Sequence, residues 1–183
     1  MTATRSRISR IVTAACLAVA LTLAGAGGAA AASARDTVPA QAIGKCDQVG
    51  SQKAPKTRFL LHAGFAFGAF HRYIYGPLKS GGFSSGASSR TKTIVKAVAA
   101  GAFVLRELVE MDKFANADKT LCKIVPSISG VSAGATDLVS KLRSGSASTT
   151  DVTNAGSLFD NLQSQASTYG AQIKDKAAKI PGL

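Results

Sequence analysis

Residues 59–75 read FLLHAGFAFGAFHRYIY and hold six of the chain's eleven Phe and Tyr side chains. Only His62, His71 and Arg72 among them are strongly polar. At 100° per residue, Phe59, Ala63, Phe67, Phe70 and Ile74 share one broad helical face. Gly64 and Gly68 fall on another face, where the missing side chains admit a neighbouring backbone. A helix that is apolar on more than one face belongs at the centre of a bundle. Burying it gains roughly 10 kcal/mol of gross hydrophobic free energy at the usual value per large side chain. The pattern predicts a central helix over about residues 56–75, closed by Gly76-Pro77.

Three further helical periods follow, and no segment alternates with the period of two that a sheet requires. Over residues 91–112, Ile94, Val98, Gly101, Leu105, Leu108 and Val109 form an apolar stripe. Lys92, Lys96, Arg106, Glu107 and Glu110 lie on the opposite arc and are expected in solvent, with Arg106 and Glu110 as an i,i+4 pair. Phe103 is out of place on that polar side. Over residues 120–143, Leu121, Ile124, Val125, Ile128, Val131, Ala135, Leu138 and Leu142 follow a spacing of threes and fours. Pro126 either follows a short separate helix or opens the main one in its first turn. Over residues 150–180, Val152, Ala155, Phe159, Leu162, Ala166, Tyr169, Ile173, Ala177 and Ile180 give the cleanest period, with Thr150 or Asp151 as cap. Residues 80–89 are a Gly/Ser-rich linker. The expected fold is all-α: a four-helix bundle-like domain over residues 56–183, preceded by an N-terminal arm at 35–55.

Ahead of the arm, Arg5, Arg7 and Arg10 precede an uncharged apolar run over residues 11–23, and Ala32-Ser33-Ala34 supplies small residues suited to cleavage. This is the pattern of a secretory signal peptide over residues 1–34; its apolar core is too short for a transmembrane anchor. The expected location is therefore secreted, in the medium or the cell envelope. Of three cysteines, Cys46 and Cys122 lie outside the leader. Two cysteines in an exported chain are most simply a disulfide.

The chain carries a formal charge of +12. Residues 35–106 hold eleven Lys or Arg against Asp36 and Asp47, whereas residues 107–183 hold eight of each sign. Outside the cytoplasm such a basic half points to an anionic cell-envelope polymer or a lipid surface. No nucleic-acid-binding motif is present.

The sequence points to no enzyme. There is no H-E-x-x-H or C-x-x-C for a metal, no G-x-S-x-G elbow, and no P-loop or dinucleotide fingerprint. His62 and His71 are nine residues apart, on opposite sides of one helix, so they cannot share a metal. Each is expected as a partly buried residue bonded to a hydroxyl or carbonyl, or set at the rim of the core. No cofactor is implied. The residues with most to offer a ligand pocket are His62, Phe65, Phe67, His71 and Tyr75, in which case the protein carries a small apolar ligand or haem. Basic residues flanking the aromatic helix also suit a membrane-active segment.

The 59–75 stretch, with its Ala/Thr/Gly-rich leader, resembles small exported proteins of high-GC Gram-positive bacteria, the likeness being best over residues 46–115. That resemblance implies a secreted helical protein and no activity, so it lends no catalytic residue. The leading expectation is a secreted, non-enzymatic helical protein that binds an envelope component or other partner.

Overall fold

The computed structural model describes residues 46–181 and Leu183; the leader expected at 1–34 and the first part of the arm, 35–45, lie outside the described residues. The described residues form an all-α fold of four long helices: α1 (Pro55–Phe70), α3 (Arg90–Ala117), α4 (Val125–Ser144) and α5 (Thr149–Thr168), with a one-turn helix α2 (Gly76–Lys79). Helix α1 packs on α3, α3 on α4, and α4 on α5. Aromatic side chains close the ring. Phe159 of α5 stacks on Phe70 with centroids 4.3 Å apart and meets Phe67 edge-on at 4.9 Å. Such pairs add about 0.5–1.5 kcal/mol each beyond their buried area.

The aromatic helix is enclosed as its pattern requires. Phe59, Phe67, Phe70 and Ile74 are buried in the core. It does not stop at Gly76-Pro77. The backbone widens into a π turn at His71–Tyr75, where Gly76 N–H bonds to His71 O, and then continues as α2. A proline inside a helix lacks an N–H and clashes with the carbonyl four residues back. The wide turn opens the ladder where that clash would fall. The true end is Ser80, whose side chain bonds back to Gly76 O and Pro77 O. Linker 80–89 is a run of turns held to the bundle by Phe83, which packs on the core and accepts a bond from Arg90 Nε at its carbonyl.

Helix α3 runs to Ala117, five residues past its expected end. Its buried face runs through Ala97, Ala100, Gly101, Val104, Glu107, Leu108, Met111, Phe114 and Ala115, rotated around the helix from the stripe the pattern suggested. Val109, read as a core residue, sits one residue around from Leu108 and is 66% exposed. No Arg106–Glu110 pair forms; Glu110 faces Lys113 at 3.8 Å instead.

Both readings of Pro126 hold. A 3₁₀ turn spans Leu121–Ile124, and α4 then starts with Pro126 in its first turn. Asp118 caps that 3₁₀ turn by accepting from Thr120 N, Thr120 Oγ1 and Leu121 N. Burial pushes its carboxyl up, but those hydrogen bonds and the charge of Lys56 outweigh burial and hold it below the usual value. In Asp112, by contrast, burial outweighs the bond from Asn116 and raises the carboxyl.

The cap of α5 is Ser148, not Thr150 or Asp151. Ser148 Oγ accepts from Asp151 N, and Asp151 Oδ2 accepts from Ser148 N in return. Lys141 of α4 reaches the same carboxylate and joins it to Asp137. Hydrogen bonds from Lys141 and Ser148 hold Asp151 well below the ordinary carboxylate range.

A disulfide joins Cys46 to Cys122, with Cα atoms 5.1 Å apart and a sequence separation of 76. It fastens the segment before α1 to the 3₁₀ turn, and Gly50 N–H bonds to Ala117 O beside it.

Replacing both cysteines with Ser is expected to lower the unfolding free energy by about 4 kcal/mol, the chain-entropy value for so long a loop. An unchanged urea midpoint contradicts this. Asp118 and Asp151 have lowered values in the folded state, so their stabilisation is complete above the unfolded pKa near 4 and is lost as pH falls through the lower folded values. Asp112 acts the opposite way, its burial cost being relieved on protonation. The urea midpoint should therefore fall on acidification below about pH 4, and Asp118→Asn should flatten that fall. A slope unaffected by Asp118→Asn contradicts the assignment.

Candidate functional site

The fourth helix ends at Thr168, twelve residues before the periodicity predicted. Tyr169 closes it, and Gly170 turns the chain with φ +70°, a conformation that costs glycine nothing. Residues 171–180 then run without helix across α1. We call this segment the strap. Ala171, Ile173 and Ile180 are buried; Ala177, expected on the helical stripe, is exposed.

Gly64 and Gly68 receive the strap. A Cβ on Gly64 would lie 2.7 Å from the Lys174 carbonyl oxygen, and one on Gly68 would collide with the Lys176 carbonyl. Lys176 N–H donates to Gly64 O at 2.8 Å. Gln163 Nε2 donates to Ile173 O at 3.0 Å, and Lys56 Nζ to Tyr169 O at 3.1 Å. Helix α1 is thus central in a literal sense: the other helices cover its aromatic face and the strap covers its glycine face.

The two histidines stand on either side of the strap, partly buried at the rim of the core, and each is bonded to a carboxylate rather than to a hydroxyl or carbonyl. His71 Nδ1 bonds Asp175 Oδ2 of the strap at 2.7 Å. His62 Nδ1 bonds Glu107 Oε2 of α3 at 2.7 Å, and its ring stacks on Phe114. Glu107, read as a solvent residue, is 7% exposed. A carboxylate so enclosed needs a partner, and the imidazole supplies it. With a carboxylate accepting at Nδ1, that nitrogen carries the proton.

Three clefts adjoin the strap. The first, about 420 Å³, is lined by His62, Phe65, Phe103, Arg106, Glu107 and residues 177–179. The second, about 360 Å³, lies between His71, Arg72, Asp175 and Lys176. The third, about 310 Å³, lies between Arg58, Leu60, Leu61 and Lys176. Five cations therefore line them: Arg58, Arg72, Arg106, Lys176 and Lys179. The acids in the same clefts, Glu107 and Asp175, are both bonded to histidines. None of the five cations forms an ion pair among the described residues.

Of the pocket residues picked out in the sequence, His62 and Phe65 line the first cleft and His71 the second. Phe67 does not line a pocket: it is fully buried against Phe159. Tyr75 packs beside Phe70 and over Gly156. Phe103, Arg106, Asp175, Lys176 and Lys179 complete the site and were not foreseen as part of it. Phe103 gave a signal as an aromatic on a polar arc. The strap residues gave none, because their spacing imitates a helix.

Among the described residues, no group of three or more His, Cys, Asp or Glu is arranged to hold a metal, and no helix is long and apolar enough to cross a membrane. No family model, curated protein or solved structure matches the chain.

Gly68→Ala should favour α1 by about 1 kcal/mol through helix propensity while evicting the strap. Trypsin should then cut at Lys174, Lys176 and Lys179 at least about tenfold faster, equivalent to about 1.4 kcal/mol of lost docking. Tail cleavage as slow as in the parent protein contradicts the role assigned to Gly68.

Proposed function

We propose that this protein acts outside the cytoplasm as a non-enzymatic binding protein, and that the basic face formed by α1 and the strap docks on an anionic polymer of the cell envelope. The observation that carries this reading is the set of five cations around the strap whose neighbouring acids are already engaged by histidines. Positive charges without a carboxylate partner attract an extended polyanion, and several act together where one alone is screened. The leader pattern at the N-terminus and the Cys46–Cys122 bridge support an oxidising location.

The first cleft's lining supports binding over bond cleavage. His62 and Glu107 resemble the base and orienting acid of a hydrolytic site, but the residues around them bear no hydroxyl or thiol to act as nucleophile. A membrane-active role for α1 is less favoured. Phe59, Phe67 and Phe70 are all buried, so insertion would require the bundle to open.

The test is co-sedimentation of the chain beginning at Arg35 with purified envelope polymer rich in phosphate or carboxylate. Binding should weaken steeply with salt. The Arg58→Ala/Arg72→Ala/Lys176→Ala triple variant should bind about a hundredfold more weakly, at about 1 kcal/mol per cation near an anionic surface. Sedimentation with anionic vesicles and not with polymer would move the site to lipid. Retention of affinity by the triple variant would remove the basis of the proposal.

A further inference from the structure

We propose that the first cleft is a separate site for an anionic amphiphile, a small molecule with one carboxylate and one apolar chain. This goes beyond polymer docking, because it assigns a bounded ligand to a bounded groove.

The cleft has two kinds of wall. Phe65 of α1 and Phe103 of α3 are half-buried and form its apolar floor. Phe103 is half-buried: part of its ring packs against the edge of the core and the rest faces the cleft. Arg106 follows it one turn later, so guanidinium and ring lie on the same strip of helix. Lys179 enters from the strap. Both cations are exposed and have no ion-pair partner among the described residues. The one acid present, Glu107, is enclosed, and its Oε2 is hydrogen-bonded to His62 Nδ1.

This arrangement selects by charge and by polarity together. A neutral apolar molecule gains nothing from Arg106 and Lys179. A cation is repelled by them. A bare small anion gains little from Phe65 and Phe103. A carboxylate paired with Arg106 and Lys179, its chain lying on the two rings, satisfies both walls at once. The occupant is the free monomer, because a groove of about 420 Å³ closed on one side by the strap suits a single chain rather than a bilayer surface.

Decanoate is the probe, below its micellar range, followed by calorimetry and by amide chemical shifts. A single saturable site is expected, with the largest shifts at Phe65, Phe103 and Arg106. Acetate should produce none of these shifts. Decyltrimethylammonium should bind at least about tenfold more weakly than decanoate. Arg106→Gln/Lys179→Gln, two exposed positions, should weaken decanoate at least about tenfold, and Phe103→Ser should weaken it as well. The Arg58→Ala/Arg72→Ala/Lys176→Ala variant should bind decanoate as the parent does, so that failure at this site and failure of polymer docking are told apart. Shifts centred elsewhere overturn the proposal, as does equal affinity for the cationic probe or indifference to the double Gln variant. Binding to anionic vesicles in the absence of decanoate binding overturns it too, in favour of a lipid surface.

Discussion

Helix α1 has more apolar surface than three neighbouring helices can cover, and the rest of the structure follows from how that surface is hidden. Its aromatic face is buried against Phe159 and the α3 stripe. Its other face carries glycines, and there the cover is backbone rather than side chain. Lys174 and Lys176 lie so close that only glycine fits beneath them. A helix laid there would advance only about 1.5 Å per residue. A stretch of extended chain covers the same strip in about ten residues and spends one of its own amide groups on a helix carbonyl.

That solution also creates the chemistry. A helix in the strap's place would hold its side chains in two or three ridges. An extended segment leaves clefts on either side, where its lysines stand beside Arg58 of α1 and Arg106 of α3. His71 reaches Asp175 across one edge, and His62 reaches Glu107 across the other. The acids are hydrogen-bonded to histidines, and the cations of the clefts form no ion pair among the described residues. The basic excess read from residues 35–106 thus becomes a localised face only when Lys176 and Lys179, from the electrically neutral half, join it.

Much of the bundle was legible because helix periodicity is local. Residues 59–75 announced a buried helix, Pro126 marked a helix start, and two cysteines beyond the leader pattern implied one bridge. What was illegible depended on distant partners or on one backbone angle. Tyr169, Ile173, Ala177 and Ile180 keep a helical step, yet Gly170 turns the chain through a left-handed conformation and the strap buries Ala171 and Ile173 instead. Nothing near Glu107 tells that His62, 45 residues earlier, draws it inward. Pro77 is tolerated because the preceding turn widens, a local change that no spacing rule reveals.

The central claim is that the strap is part of the folded domain, docked on the glycines of α1. Amide hydrogen exchange at Lys176 tests it most directly, since that N–H is bonded to Gly64 O. The account predicts protection well above the free-peptide rate in the native protein. Exchange of Lys176 at the free-peptide rate, with α1 itself fully protected, would contradict it.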